Sequence, residues 1–264
     1  MQFTILDVGH GACAYLEADN SNLMLFDCGH KSNPDVRPSS LLRSRGHQSV
    51  EHLFVSNYDE DHISDLPRLR GELKVRSLHR NPSISADQLR ALKLRQSGEI
   101  SPAMASMLDM IRTYTGGPLN PAPAFPGVSY ETYCNNHPFS GGNDTNNISL
   151  VTFLTVNGTT ILLPGDIERD GWLELLRNVN FARRLRSVNI CVASHHGREN
   201  GYCREVFADY ACRPDVIVFS DSVIQHATQE MTATYAGWAT GIRFNNQHRS
   251  VLTTRNDGAL TWTL

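Results

Sequence analysis

Four polar residues with the spacing of a metal site follow an apolar run near residue 55. The stretch VSNYDEDHISDL contains Asn57, Asp59, Asp61 and His62, all within six residues. Carboxylates so close together repel one another unless a cation lies among them. The same stretch is also typical of a solvated turn in which Asp61 caps the next helix. By itself the segment therefore leaves a metal site and a helix start as alternatives.

Two further polar clusters follow apolar runs later in the chain. Asp166 ends ILLPGD, where a helix N-cap is the alternative, and His195 and His196 follow NICVAS directly before Gly197. Neutral imidazole is a common metal ligand, and two adjacent histidines at a strand end are unusual as packing residues. A bound ion would polarise a substrate and lower the pKa of an attacking water. The clusters together offer five ligands for one or two divalent ions: Asp59, Asp61, His62, Asp166 and His195.

Short strands must carry these clusters to a common edge. QFTILDV, ACAYLEA and NLMLFDC predict an antiparallel meander, and EHLFVS predicts the strand before the acidic stretch. Ser85 with Gln88 predicts a capping box, and Ser101 before Pro102 predicts a second helix start. Asn157-Gly158 predicts a hairpin, and the tail SVLTTRNDGALTWTL predicts another around residues 256–258.

The order of these elements predicts an α/β fold. Strands come first and mixed helices and strands follow, which favours a single domain over residues 1–264 with two sheets and helices outside. Three predicted strands end in the polar clusters at 57–62, 164–166 and 195–197. Strand ends at one edge are where α/β folds place their sites, so we expect the clusters to meet there.

Composition limits the class of protein. The 264 residues are 40% hydrophobic and 19% charged, with a net charge of −3, which is typical of a globular chain. The absence of an overall basic field argues against a passive DNA-binding module. Six scattered cysteines without a CxxC pair indicate free thiols of a reducing compartment. We see no signal peptide and no apolar run of about 18 residues, so we expect a cytoplasmic location away from the membrane.

Six ordered motifs resemble those of a known family. The motifs are DVGHGA, FDCG, SNYDEDHISDL, NNISLV, LLPGDIE and ASHHG, and together they are similar to the metallo-β-lactamase fold hydrolases. Within that group the chain looks most like the branch typified by the hydrolase domain of the DNA-uptake protein ComEC, with His10 where glutamine is usual. The resemblance implies an αββα sandwich with two mixed sheets and a metal site at one edge.

The resemblance also implies roles for individual residues. It implies metal ligands at Asp59, Asp61, His62, Asp166 and His195, with Asp27 near the cleft. His196 would then contact the ligands or donate a proton to the leaving group. The family's first motif is HxHxDH, and this chain departs from it with Asn57 and Asp59. Asn146 or Asn147 lies in the region of a further family histidine, with His137 as a weaker alternative.

The donor set and the family resemblance together predict a reaction. An oxygen-rich set favours Mn²⁺ over Zn²⁺ or Mg²⁺, and Asn57 weakens one metal position, so one or two ions are compatible. The resemblance implies a phosphodiesterase or nuclease with catalytic residues Asp61, His62, His196 and Arg198. The substrate would be a nucleic acid or nucleotide, and a partner protein would be one way to deliver it. There are two alternatives. One is hydrolysis of a lactone, thioester or amide bond, and the other is a degenerate protein that binds a nucleotide or a protein without catalysis.

Overall fold

The computed structural model describes residues 1–117, 119–140, 145–224 and 227–264. The strands in these ranges are β1 (Gln2–Ile5), β2 (Ala14–Glu17), β3 (Leu23–Phe26), β4 (Lys31–Ser32), β5 (Asp35–Val36), β6 (Ser49–Val50), β7 (His52–Phe54), β8 (Lys74–Val75), β9 (Leu78–His79), β10 (Val128–Tyr133), β11 (Val151–Val156), β12 (Thr159–Leu163), β13 (Ile190–Val192), β14 (Val216–Phe219), β15 (Ile242–Phe244), β16 (Gln247–Arg249), β17 (Val251–Thr253) and β18 (Leu260–Thr263). The α-helices are α1 (Pro38–Ser44), α2 (Glu60–Ile63), α3 (Leu66–Glu72), α4 (Ala86–Ser97), α5 (Pro102–Thr113), α6 (Arg169–Leu176), α7 (Val179–Arg184), α8 (Arg204–Ala208), α9 (Thr232–Ala236) and α10 (Thr254–Asp257).

Twelve of the strands form two six-stranded mixed sheets. The first sheet has the order β18-β1-β2-β3-β7-β9, and the second has the order β10-β11-β12-β13-β14-β17. In the first sheet the antiparallel meander β1–β3 continues into β7 and β9, which pair in parallel. In the second sheet the hairpin β11–β12 is followed by parallel β13, β14 and β17. Each sheet therefore combines a meander or hairpin with a parallel half.

Three apolar cores show how the sheets are layered. Along β3, Met24 and Phe26 pack in a core that both sheets share, whereas Leu23 and Leu25 pack in a core with helices α1, α3, α4 and α5. This alternation follows from the opposite directions of successive side chains in a strand. A third core packs α6–α9 against the outer face of the second sheet. The predicted αββα arrangement with two mixed sheets and helices outside is thus confirmed.

Several local predictions are confirmed by hydrogen bonds. The Ser85 side chain accepts the backbone N–H of Gln88, and the Gln88 side chain accepts that of Ser85, which completes the capping box of α4. Ser101 accepts the backbone N–H of Met104 at the start of α5, where Pro102 is the first helical residue. Residues 157–158 connect the antiparallel strands β11 and β12. Local sequence signals are sufficient for these elements because their partners lie within a few residues.

The predicted hairpin in the tail is wrong. Strand β17 pairs with β14 in the second sheet, whereas β18 pairs with β1 in the first. Helix α10 lies between them, because the Thr253 side chain caps it at Asn256 N, 3.3 Å away. The Asp257 carboxylate accepts Thr253 N at 2.9 Å and Arg249 Nη2 at 3.1 Å, which holds the turn in helical form. The Asn-Asp-Gly sequence therefore carries the chain from one sheet to the other.

None of the helices in the described parts of the chain is long and apolar enough to span a membrane.

The parallel strands bring the polar clusters to one edge of the sandwich. Strands β3 and β7 run in the same direction, as do β12 and β13, so their carboxyl ends point the same way within each sheet. Residues 27–30 follow β3 and residues 56–62 follow β7 in the first sheet, while residues 164–168 and 193–198 follow β12 and β13 in the second. The loops at the carboxyl ends of these strands are thus the elements that position the candidate site.

Candidate metal centre

Four side chains converge between the two sheets. Asp61, His62, Asp166 and His196 each offer one ligand atom, and these atoms all lie within 4.8 Å of one another. His62, Asp166 and His196 are buried, and Asp61 is half-buried. Asp61 and His62 belong to the first sheet's loop, whereas the other two belong to the second sheet's loops. We refer to these four residues as the metal group.

Both histidines of the metal group are oriented by acceptors outside it. His62 Nδ1 lies 3.0 Å from Asp27 Oδ2, and His196 Nδ1 lies 2.8 Å from the Ser220 carbonyl oxygen. Because a carboxylate and a carbonyl accept, each Nδ1 donates, and each Nε2 offers a lone pair to the metal group once it has lost its proton. A carboxylate or carbonyl that fixes the tautomer in this way is typical of metal-ligating histidines.

The two Nε2 atoms fit a cation better than a hydrogen bond. His62 Nε2 lies 3.0 Å from Asp166 Oδ1, and His196 Nε2 lies 3.1 Å from Asp61 Oδ2. Both Nε2 atoms are nevertheless buried and make no hydrogen bond with the described residues. Buried polar atoms normally make well-aligned hydrogen bonds, so two imidazole nitrogens that face two carboxylates without this alignment favour a ligand among them. A divalent ion matches this donor set of two nitrogens and two oxygens.

The charges of the metal group also favour a cation. Burial opposes the charged imidazole, yet Asp166 and Asp61 raise the pKa of His196 to about 10. Burial opposes ionisation of Asp61 as well, but His196 and His62 lower the pKa of that carboxyl to about 2. At neutral pH the protonated imidazole of His196 thus places a positive charge beside the two carboxylates. A divalent ion would supply this charge and displace the protons.

Two glycines allow the neighbouring loops to pack against the Asp61 backbone. A Cβ atom at Gly29 would lie 2.0 Å from the Asp61 carbonyl oxygen, and one at Gly11 would lie 2.7 Å from it. Ala12 N donates to the same oxygen at 3.1 Å, and Cys28 N donates to the His62 oxygen at 2.8 Å. Any larger residue at position 29 would displace the loop that carries Asp61 and His62.

The second sheet reaches the metal group through an unusual turn. His195 and His196 have φ angles of 52° and 56°, in the left-handed region that residues other than glycine rarely adopt. The turn is fixed by His195 N, which donates to the Gly165 carbonyl at 3.1 Å, and by Gly197, where a Cβ would collide with the Phe219 ring. Such strain is concentrated at functional sites, and here it accompanies the burial of His196 against the carboxylates.

Asp59 lies outside the metal group, although the sequence predicted it as a ligand. Its carboxylate pairs with Lys93 of α4 and accepts the Thr145 hydroxyl at 3.2 Å. Asn57 is fully buried: its Nδ2 donates to Asn146 Oδ1 at 2.9 Å, and its Oδ1 accepts Asp59 N at 2.9 Å. Both side chains are therefore engaged in a polar network beside the metal group.

His195 is also placed outside the four-residue group. Its Nε2 lies 3.8 Å from Asp166 Oδ2, and its Nδ1 lies 3.5 Å from Glu168 Oε1. The geometry thus favours His196 over His195 as the histidine that joins Asp166, the reverse of the sequence-based preference. The metal-binding role of either histidine stays a prediction.

The remaining predicted residues divide into two sets. Asp27 orients His62, close to where it was expected, whereas Asn147 Oδ1 accepts the backbone N–H of Gly171 at 3.0 Å at the start of α6. The His137 amide donates to the Ser83 hydroxyl, away from the metal group. Asn147 and His137 thus have structural contacts of their own.

Arg198 lies beside the metal group and contacts a residue that the site prediction omitted. Its Nη2 lies 2.6 Å from His10 Nε2, and the His10 ring lies 4.7 Å from that of His196. Burial lowers the pKa of His10 to about 4, and the charges of His196 and Arg198 add to this effect. The glycines on both sides of His10 were a sequence signal for it, whereas nothing near Lys93 in the sequence indicated its contact with Asp59.

Comparison with known proteins identifies the fold. No protein-family model and no curated protein matches the sequence. Among solved structures, the metallo-β-lactamase fold protein YhfI from Bacillus subtilis aligns with a TM-score of 0.52 over 99% of this chain and 98% of its own, at 10% identity. The protein has the metallo-β-lactamase fold.

A second structure with this overall similarity is a variant of the CmlA β-hydroxylase. It aligns with a TM-score of 0.53 over 99% of this chain and 54% of its own, at 10% identity. At such identities the similarity establishes the fold alone, and an activity has to be argued from the side chains. In this chain the metal group lies where loops from both sheets of the metallo-β-lactamase fold meet.

Proposed function

We propose that the protein is a metal-dependent phosphodiesterase that holds one divalent ion in the metal group. The observation that carries the proposal is the convergence of Asp61, His62, Asp166 and His196, with two buried Nε2 atoms that make no well-aligned hydrogen bond with the described residues. The four ligand atoms lie close enough together to hold one ion, and an ion that prefers six ligands would still have open positions for water and substrate.

The neighbouring network supports one ion rather than two. Lys93 already supplies a positive charge to Asp59, and both ends of the Asn57 side chain are hydrogen-bonded. The available ligands are then two carboxylates and two imidazoles. The carboxylates make this set harder than the imidazole-rich sets that suit Zn²⁺, whereas the imidazoles make it less suitable for Mg²⁺, so we propose Mn²⁺ as the preferred ion.

The chain's own residues would divide the remaining work. When bound, the ion supplies Lewis acidity toward a phosphoryl oxygen and lowers the pKa of water. Asp27 and the Ser220 carbonyl hold the two histidines in the tautomer that leaves Nε2 free. We assign proton transfer toward a leaving group to His195, whose Nδ1 lies 3.5 Å from Glu168 Oε1 and whose Nε2 lies 3.8 Å from Asp166 Oδ2.

The phosphodiester class is supported by Arg198 and by the ordered motifs. A guanidinium beside a metal site suits the oxygens of a phosphate, which it can bind with two parallel hydrogen bonds. The motif order resembles the ComEC-like branch, for which hydrolysis of nucleic acid is the expected activity. We extend the proposal to a nucleic acid or nucleotide as substrate. Because the net charge is −3, delivery of nucleic acid by a partner protein is part of it.

Hydrolysis of bis-p-nitrophenyl phosphate tests the proposal. Metal-stripped protein is assayed with Mn²⁺, Zn²⁺ and Mg²⁺, for the wild type and for Asp61→Ala and Asp166→Ala. We expect Mn²⁺ to restore the highest rate and each substitution to reduce it at least about 100-fold, because even the partners of ligands affect activity by 10- to 100-fold. Asp109→Asn, which removes an exposed carboxylate of α5 that pairs with Arg70, is the matched control.

Each outcome of this assay has a defined reading. Equal rates for the wild type and both alanine variants would exclude the phosphodiesterase, and full turnover with Zn²⁺ alone would exclude the Mn²⁺ preference. Hydrolysis of a lactone, thioester or amide without hydrolysis of the phosphodiester would replace the proposal with the corresponding alternative. Binding of one equivalent of metal without turnover on any of these substrates would favour the non-catalytic alternative.

A further inference from the structure

The loop between β1 and β2 is fixed against both halves of the metal group. On the first-sheet side, Ala12 N donates to the Asp61 carbonyl oxygen at 3.1 Å. A Cβ atom at position 11 would lie 2.7 Å from the same oxygen, so this contact requires Gly11. On the second-sheet side, the Gly11 carbonyl accepts the Ser220 hydroxyl at 2.7 Å. The residue before Gly11 is therefore held at a defined place beside the site, and that residue is His10.

The contact between His10 and Arg198 defines the state of the imidazole. Arg198 Nη2 and His10 Nε2 are 2.6 Å apart. An arginine has donors only, so His10 Nε2 must be the acceptor, and the ring must be neutral with its proton on Nδ1. The His10 ring lies 4.7 Å from the His196 ring at 40°, so the contact lies directly beside the metal group.

Arg198 keeps donors for a ligand after this contact. Its Nε is buried and makes no hydrogen bond with the described residues, and its side chain is half-buried. A long arginine side chain loses rotamer freedom when it binds, and this cost falls if another residue orders it beforehand. Hydrogen bonding to His10 would order the guanidinium before any anion arrives.

We propose that His10 is a positioning residue that holds the Arg198 guanidinium beside the metal group, where it binds an anionic oxygen of the substrate. The inference rests on the proposed function, because it assumes that the site receives a phosphate. In this role His10 acts through its hydrogen bond with Arg198 and contacts neither the ion nor the substrate.

Binding of inorganic phosphate tests this role without turnover. Calorimetric titration of the Mn²⁺-loaded protein compares the wild type with His10→Ala, His10→Gln, Arg198→Ala and the double alanine variant. We expect His10→Ala and Arg198→Ala each to weaken phosphate binding by about tenfold or more, as for loss of a charge-assisted hydrogen bond. His10→Gln should recover most of the affinity, because its side-chain carbonyl can accept from the guanidinium.

The double variant separates positioning from an independent effect. If His10 acts through Arg198, His10→Ala should have little further effect when Arg198 is already alanine. His248→Ala, which removes an exposed histidine of β16, is the matched control, and metal content should be equal in all variants. In the hydrolysis assay, the two single alanine variants should both raise KM more than they lower kcat.

The outcomes distinguish this inference from the proposed function. Full additivity of the two alanine substitutions, wild-type phosphate binding by His10→Ala, or the absence of phosphate binding in the wild type would each overturn the role of His10. If instead the phosphate data follow the expected pattern but the wild type hydrolyses no phosphodiester, the proposed function fails and the positioning role stands.

Discussion

Replacement of Asp27 by asparagine tests whether an oriented histidine is needed at the metal group. Asp27 Oδ2 accepts His62 Nδ1 at 3.0 Å, and its Oδ1 accepts Ser56 N at 2.7 Å. Asp27 has a φ of 59°, a left-handed conformation that asparagine also tolerates, so the backbone should be retained. If the asparagine oxygen keeps the bond to Ser56 N, its NH₂ group faces His62 Nδ1.

The expected effect follows from the tautomer of His62. An NH₂ group donates to Nδ1 and thereby shifts the imidazole proton to Nε2, the atom that faces the metal group. Loss of such a partner typically weakens metal binding 10- to 100-fold. At about 1.4 kcal/mol per factor of ten, the loss is about 1.4 to 2.8 kcal/mol of binding free energy. His196 offers no equivalent test, because its partner is the backbone carbonyl of Ser220.

Metal affinity is measured by competition with a chelator of known affinity, and thermal unfolding of the metal-free proteins confirms that each variant is folded. Asp59→Asn is the informative comparison, because Asp59 pairs with Lys93 and lies outside the metal group. We expect Asp59→Asn to change metal affinity less than threefold, because it removes only the electrostatic attraction between a nearby charge and the ion and removes no ligand. An Asp27→Asn protein with wild-type affinity, or a larger loss in Asp59→Asn, would refute the reasoning.

Three further predictions concern stability. Gly29→Ala should destabilise the protein by about 1–3 kcal/mol in urea unfolding, because the new Cβ would lie 2.0 Å from the Asp61 carbonyl oxygen. Gly71→Ala is the control: a Cβ atom there would meet open space on α3, so this substitution should stabilise the protein by up to about 1 kcal/mol. The raised pKa of His196, about 10 against an ordinary 6.5, stabilises metal-free protein fully below pH 6.5, and this contribution is lost as the pH rises through 10. The stability advantage of the metal-free wild type over His196→Gln should therefore shrink over that range, and an increase would contradict the assignment. Ser85→Ala should cost about 1 kcal/mol of unfolding free energy through loss of the α4 cap, and an unchanged urea midpoint would contradict this.

The fold was predictable where the signals are local or periodic. The capping box at Ser85, the Asn157-Gly158 turn and the alternation along β3 each depend on residues a few positions apart. The tail failed because the hydrogen bonds that decide it, from Thr253 and Asp257, favour a helical turn over the hairpin that the Asn-Asp-Gly sequence indicated. Strand pairing with β14 and β1 is a long-range choice that the local sequence does not encode.

The candidate site was predictable to the level of its clusters but not of every side chain. Polar residues after apolar runs indicated that Asp61, His62 and Asp166 would lie near one another. The pairing of Asp59 with Lys93, which lies 34 residues later on α4, was not indicated by the sequence. The choice between the paired histidines depends on two consecutive left-handed residues, a conformation that the sequence gives no reason to expect before Gly197.

The division of the metal group between the sheets has a mechanical consequence. Asp61 and His62 follow β7 of the first sheet, whereas Asp166 and His196 follow β12 and β13 of the second, more than a hundred residues later. An ion held by all four would cross-link the two sheets at this edge of the sandwich, and its binding would favour the folded state, in which the ligands come together. Loading with metal would make the two sheets open as one unit, so amide exchange in both should slow together. Metal loss would loosen the same edge, at which we propose that catalysis takes place.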